Sequence, residues 1–258
     1  MILILITKII IAKMIMQINH VHCFFEQSGT FKNAFKKNNI TAFDYDIKNE
    51  YNQTDYIIDL FSEIEKAYNN EESIFDNIQT TDLIFAFFPC VYFCENNQLQ
   101  FCGNSINYIK KTKIEINQII LQRNEKRALY YNILLKLFTI CEIKNYKLIV
   151  ENPYSSNHYL YNNFPDKPQL IDFNRNKKGD HFRKPTQYFF LNCLPETNYN
   201  SFCKQKLKKI QSCTGHVGSG CNKERSEISP EYAENFINDY ILSKKTKHTV
   251  LNLFNYNC

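Results

Sequence analysis

The chain repeats one rhythm: a short apolar run bounded by turn residues, then a longer stretch whose apolar residues recur at helical spacing. HVHCFFEQSG (20–29), ITAFDYD (40–46), TDYIIDLF (54–61), DLIFAFFPC (82–90) and YKLIVENP (146–153) are the apolar runs. Several are nearly unbroken in hydrophobicity, which marks strands buried on both faces, the condition of parallel strands covered by helices. TFKNAFKKNN (30–39), with Thr30 as its N-cap, and a long segment over roughly 115–143 read as helices between them. Strands alternating with helices predict an α/β fold on a doubly wound, mostly parallel sheet. A ligand in such a sheet sits at the carboxyl ends of the strands. Those ends carry Glu26 to Gly29, Asp44 to Asp46, Pro89 with Cys90, and Glu151 to Pro153.

A chain of 258 residues can bury a sizeable core. Its ten cysteines are scattered from Cys23 to Cys258 without paired short spacings, so free thiols in a reducing, intracellular compartment are expected rather than a disulfide framework. Lysine and arginine exceed aspartate and glutamate by five (31 − 26), most densely at KQKLKKIQ (204–211), which permits a polyanionic partner. MILILITKIIIAKMIMQI (1–18) is apolar, but Lys8 and Lys13 cut it into pieces too short to span a bilayer, and it lacks a small-residue cleavage site. Residues 1–19 therefore read as an N-terminal extension to a domain beginning near His20, with no membrane partner; a secretory signal or anchor is the alternative.

Single residues leave their roles open. Cys90, directly behind Pro89, suits a nucleophile, a metal ligand or a small buried side chain ending a strand. Cys94 and Cys102 read as packing residues, because Cys90-x3-Cys94 has no second ligand pair at zinc spacing. Cys203, Cys213, His216 and Cys221 match no zinc pattern, and no metal is expected. Glu151 is either a solvated strand-end carboxylate or a catalytic one, and Asp44, Asp46 and Asp59 are ligands, turn residues or caps.

In order along the chain, FFEQSG (24–29), FDYDI (43–47), IDLF (58–61), DLIFAFFPC, LIVENP (148–153), DHFRKPTQYFFLN (180–192) and ERSEISPEYAENF (224–236) resemble the parts of a DNA cytosine-5 methyltransferase, as a short, phage-like member. The resemblance spans roughly 20–191 and 225–235. It implies a Rossmann-like sheet of the methyltransferase type, S-adenosylmethionine as cofactor, and DNA, single- or double-stranded, as partner. On this resemblance Phe25, Glu26, Ser28 and Gly29 form the loop cradling the cofactor. Asp44 and Tyr45 lie by its ribose, Asp59 near its adenine, and Pro89 sets the turn that presents Cys90. Cys90, Glu151 and Arg183 are the implied catalytic residues. The catalytic domain would run over 20–192, leaving 193–224 as a reduced recognition segment and 225–258 as a helical C-terminal segment.

The chemistry explains the combination. C5 of cytosine is too weak a nucleophile to attack a methyl sulfonium unaided, so a thiolate first adds to C6 while a carboxyl group stabilises the charge on the ring. A base inside a duplex must be flipped out to be reached. Two other readings are a non-enzymatic homologue that binds S-adenosylmethionine or nucleic acid, and a modifying enzyme acting on another pyrimidine substrate such as RNA or a nucleotide.

Overall fold

The structure is a computed structural model that describes residues 17–208, 227–246 and 249–251. Nine strands lie among these residues: β1 His20–Phe24, β2 Thr41–Asp46, β3 Tyr56–Ile57, β4 Leu83–Ala86, β5 Lys147–Pro153, β6 Leu170–Asp172, β7 Thr186–Leu191, β8 Tyr199–Ser201 and β9 Thr249–Leu251. The first seven form a single sheet in the order β3-β2-β1-β4-β5-β7-β6. β7 runs antiparallel to both of its neighbours, and the other pairs are parallel. β8 and β9 form a separate antiparallel ribbon. The α/β class and mostly parallel sheet expected from the sequence are thus present, in an arrangement compatible with a Rossmann-like fold.

The period-two geometry of β4 shows why its sequence is apolar throughout. Leu83 and Phe85 face one layer, Ile84 and Ala86 the other, and all four are inaccessible to solvent. The first layer contains α1 (Thr30–Lys37) and α6 (Pro230–Phe236), whose Phe31, Phe35, Tyr232 and Phe236 pack over Val21, Cys23 and Tyr188. The second contains α2 (Leu60–Tyr68) and the C-terminal half of the long helix α4 (Lys113–Lys144), packing over Phe24, Leu148 and Val150. Two short helices, α3 (Gln98–Phe101) and α5 (Tyr159–Asn163), follow β4 and β5 respectively. α4 begins with a full capping box, Thr112 and Glu115 exchanging hydrogen bonds, and stops at Asn145 in the left-handed conformation.

Four expectations are corrected. TDYIIDLF is a strand only at Tyr56–Ile57, because Asp59 then caps α2 by accepting from the Phe61 N–H at 3.0 Å. Thr30 is the first residue of α1 rather than its cap; Gly29 holds the cap position without a side-chain bond. The domain reaches back past His20, since Ile18 packs on the core and the Asn19 N–H donates to the Thr81 carbonyl at 3.2 Å. The C-terminal segment is not helical throughout: α6 and a wide turn at Ile237–Ile241 pack against the sheet, and β9 follows. Residues 1–16, Cys213, His216 and Cys221 lie outside the described residues.

Candidate functional site

The strand order creates one crevice by topology. From β1 the chain moves outward to β2 and β3, then returns to set β4 on the other side of β1. The loops after β1 and β4 therefore part at the carboxyl ends of adjacent strands, where an open α/β sheet binds its ligand.

The loop after β1 is tightly built. Phe25 has φ 59, an uncommon and strained conformation for a bulky side chain. Its N–H donates to the Tyr45 carbonyl at 2.8 Å, and its ring packs edge-on against Phe61 and Phe88. Gly29 has φ 67, and a Cβ there would come within 3.2 Å of both Asn33 and Gln53. Ser28 bonds the Thr30 hydroxyl at 3.0 Å. Glu26 is buried and turned inward: its carboxylate accepts from the Phe31 N–H at 2.7 Å and the Lys32 N–H at 3.2 Å, closing the N-terminus of α1. Burial pushes its pKa up to about 7, against those two bonds. This loop is the wall of the crevice, and Glu26 is the strut inside it.

The acidic residues divide differently from expectation. Asp44 is fully buried, ion-paired with Lys32 at 2.9 Å and bonded to the Asp55 N–H at 2.7 Å. Tyr45 is a core residue, stacked on Tyr56 at 4.7 Å and hydrogen-bonded to His22 at 2.9 Å. Both are buried within the sheet, although Asp44 Oδ2 is left without a hydrogen-bond partner among the described residues. One pleat further on, Asp46 ends β2, half-buried, with burial raising its pKa. Exposed Asp59 begins α2 beside the end of β3. Of the three aspartates singled out in the sequence, Asp46 and Asp59 are the accessible ones.

Beyond β4, the Phe87 N–H donates to the Phe24 carbonyl at 2.9 Å, and Asn152 on β5 donates to the Phe88 carbonyl at 2.8 Å. These two bonds pin the loop carrying trans Pro89 and Cys90 to both neighbouring strands. The Cys90 carbonyl then accepts from the N–H groups of Phe93 (2.9 Å) and Cys94 (3.1 Å), forming a tight turn. That turn brings the Cys94 thiol to Cys90. The hydrogen bond from Cys94 lowers the Cys90 pKa; burial and the Glu151 charge oppose this, and the Lys184 ammonium assists it. Cys94 is pushed far upward and stays a thiol. Cys94, expected as packing, thus also sits where it favours ionisation of Cys90.

On β5, Glu151 is only 7 % exposed. Its Oε1 has no hydrogen-bond partner among the described residues, and the facing atom, Arg175 Nη1 at 4.0 Å, has none either. Arg175 is itself fully buried, held through Nε to Asp180 at 2.7 Å and through Nη2 to the same oxygen, with its guanidinium 4.8 Å from the Tyr232 ring. Burial opposes its charge most strongly, but Asp180 together with Tyr232, Tyr188 and Glu151 outweighs burial and keeps it cationic. Arg183, the expected basic residue, is exposed, and its carbonyl accepts from the Arg175 N–H at 3.0 Å. The arginine beside Glu151 is Arg175. Sequence reasoning missed it because the 173–185 loop folds back, and the one available signal was an arginine five residues ahead of an aspartate.

No family model matches the chain, and no curated protein matches it. Among the described residues no helix is long and apolar enough to cross a membrane.

Proposed function

We propose that the protein transfers the methyl group of S-adenosylmethionine to C5 of cytosine in DNA, with Cys90 as the nucleophile. The observation that carries this reading is the pair of unsatisfied buried atoms, Glu151 Oε1 and Arg175 Nη1, beside a thiol whose pKa is lowered. Buried polar groups without partners cost free energy and mark a place for a ligand. A cytosine edge offers what both lack: an amino group for the carboxylate and the O2 carbonyl for the guanidinium. Thymine and uracil carry a carbonyl where cytosine has its amino group, and a second acceptor there would face the carboxylate unfavourably.

The crevice suits the cofactor. A Cβ would close the approach at Gly29, and Asp46 and Asp59 place carboxylates where ribose hydroxyls and an adenine amino group could be held. S-adenosylmethionine supplies an electrophilic methyl group. The chain's own residues make the base reactive. Cys90 thiolate forms a bond to C6 as the C5–C6 double bond opens, with Glu151 and Arg175 balancing the charge on the ring. C5 takes the methyl group, its proton leaves to solvent, and the C6–S bond breaks to restore the double bond and the thiolate. Cys94 holds the thiolate between turnovers, and Asn152 keeps the loop seated.

The test is incubation with S-adenosylmethionine labelled in its methyl group and, separately, DNA, RNA or free cytosine nucleotides. Label at C5 of cytosine in DNA supports the reading. Label only in RNA or nucleotides moves the substrate, and cofactor binding without transfer to any of them makes the protein a binding homologue.

A further inference from the structure

The reduced segment between the catalytic strands and α6 leaves open which part of the protein meets the nucleotides around the target. α4 has 32 residues, but its buried ones begin only at Ile133, so its first half stands away from the core. Arg123 and Arg127 lie there one turn apart. The Arg123 guanidinium is 4.9 Å from the Phe101 ring and 5.5 Å from Tyr92; that of Arg127 is 3.3 Å from Phe101 and 4.7 Å from Tyr159. Stacking occupies the face of a guanidinium and leaves its N–H edge for a planar or tetrahedral anion. Arg123 Nε and Arg127 Nε and Nη2 are buried with no hydrogen-bond partner among the described residues, and the other guanidinium nitrogens, which no described hydrogen bond engages, are the ones left to meet an anion. Like charges one helical turn apart repel each other, so the pair costs stability in the absence of an anion. Exposed Lys110, Lys111, Lys113 and Lys126 extend the basic surface.

A cleft of about 720 Å³ adjoins this pair, and Tyr159 belongs to both. The cleft lies next to the Cys90–Cys94 turn in the chain: Glu95 lines it, and the Tyr159 N–H donates to the Phe93 carbonyl at 3.0 Å. The rest of its polar lining is amide: Gln98, Asn157, Asn162 and Asn163. Asn157 donates to Glu95 at 2.8 Å, Asn162 to the Ser156 carbonyl at 2.9 Å, and Asn163 to the Tyr159 carbonyl at 2.9 Å. With their nitrogens engaged by the protein, the three asparagines have carbonyl oxygens to offer, which match the amino groups on base edges, and Gln98 has both its amide groups free of described side-chain bonds.

The geometry points to this cleft as the place where nucleotides flanking the target cytosine are read, with Arg123 and Arg127 gripping the phosphates between them. The assignment rests on the methyltransferase reading. It places sequence discrimination inside the catalytic domain, on the loop after Cys90 and on α5, rather than in a separate recognition domain.

Two measurements on the full chain test it. The first follows binding to one fixed DNA duplex across a salt series, which needs no catalysis. Arg123→Gln/Arg127→Gln should reduce the slope of log K against log salt by about 2, at roughly 0.9 per phosphate contact, while Arg123→Lys/Arg127→Lys keeps most of it. The second methylates a duplex pool with randomised bases around a central cytosine and reads it by bisulfite sequencing. Gln98→Ala/Asn163→Ala should flatten the flanking preference by about fivefold or more. Gln98 makes no side-chain bond among those described and the Asn163 side chain makes one, to the Tyr159 carbonyl within a short helix, so the variant retains its fold. A salt slope unchanged in the glutamine variant, or an unchanged preference in an active Gln98→Ala/Asn163→Ala protein, overturns the inference. A wild type that binds the duplex with the predicted slope difference but never methylates it overturns the methyltransferase reading and leaves the phosphate grip standing.

Discussion

Replacing Arg175 by methionine separates what that residue does for the fold from what it does for the reaction. Arg175 and Asp180 are 0 % and 1 % exposed, so the substitution leaves a buried carboxylate without its cation. Breaking one side of a buried pair costs about 3–5 kcal/mol. For a chain of this size each kcal/mol moves Tm by roughly 2–4 °C, so Arg175→Met should melt about 6–20 °C below wild type. Adding Asp180→Asn removes the stranded charge but keeps an acceptor for the Phe182 N–H, which Asp180 now bonds at 3.1 Å. Neutralising both members of a buried pair is often close to neutral, so the double variant should recover to within about 1–2 kcal/mol. Activity should not return, because Nη1 facing Glu151 is still missing. Calorimetry and methyl transfer on the same samples decide it. A double variant that regains both stability and activity would show that Arg175 serves the fold alone, and a single variant as stable as wild type would refute the buried-pair account.

Three further outcomes follow from the site. Gly29→Val should weaken S-adenosylmethionine binding at least tenfold, about 1.4 kcal/mol, in calorimetry, since φ 67 and contacts at 3.2 Å leave no room for a branched side chain; unchanged affinity would remove this loop from the cofactor site. Glu26 has a folded pKa of about 7 against an ordinary 4.5, so the folded state holds the proton more tightly; the stability this contributes is complete below about pH 4.5 and lost as pH rises through 7, in all about 3 kcal/mol. Glu26→Gln should flatten that part of the stability profile in denaturant titrations, and an identical profile would contradict the assignment. Cys94→Ala should raise the Cys90 pKa, so that alkylation of Cys90 by iodoacetamide near neutral pH slows; an unchanged pH profile would return Cys94 to packing.

The sheet was legible because β1, β4 and β5 are buried on both faces and their sequences are apolar almost without interruption. Gly29 and the Pro89–Cys90 turn were legible because special backbone positions favour few residue types. Asp44 misled because Asp44 and Asp46 share one face of β2; periodicity cannot tell the strand's last pleat from the one before it, and Lys32 and Asp55, which cover Asp44, come from elsewhere in the chain. The short β3 was hidden because IIDLF is apolar enough for a strand, while Asp59 as a cap starts a helix inside it. Arg175 was out of reach for a topological reason: it enters the site from a loop after β6, at the sheet edge, and only the reversal of β7 brings that loop beside Glu151. The proximity of Cys94 to Cys90 was not legible because it depends on the turn at Cys90, which spacing alone does not specify.

The central claim, that Cys90 attacks a cytosine held by Glu151 and Arg175, is tested most directly with DNA carrying 5-fluorocytosine and S-adenosylmethionine. Fluorine at C5 permits thiolate addition and methyl transfer but leaves no proton to remove, so the enzyme stays joined to the DNA. Wild type should give an adduct that survives denaturation, with the tryptic peptide modified at Cys90. Cys90→Ser should give none, and Glu151→Gln should form it slowly for want of charge stabilisation on the ring. A wild-type protein that binds the cofactor and this DNA yet never forms the adduct, or an adduct that persists in Cys90→Ser, would contradict the account.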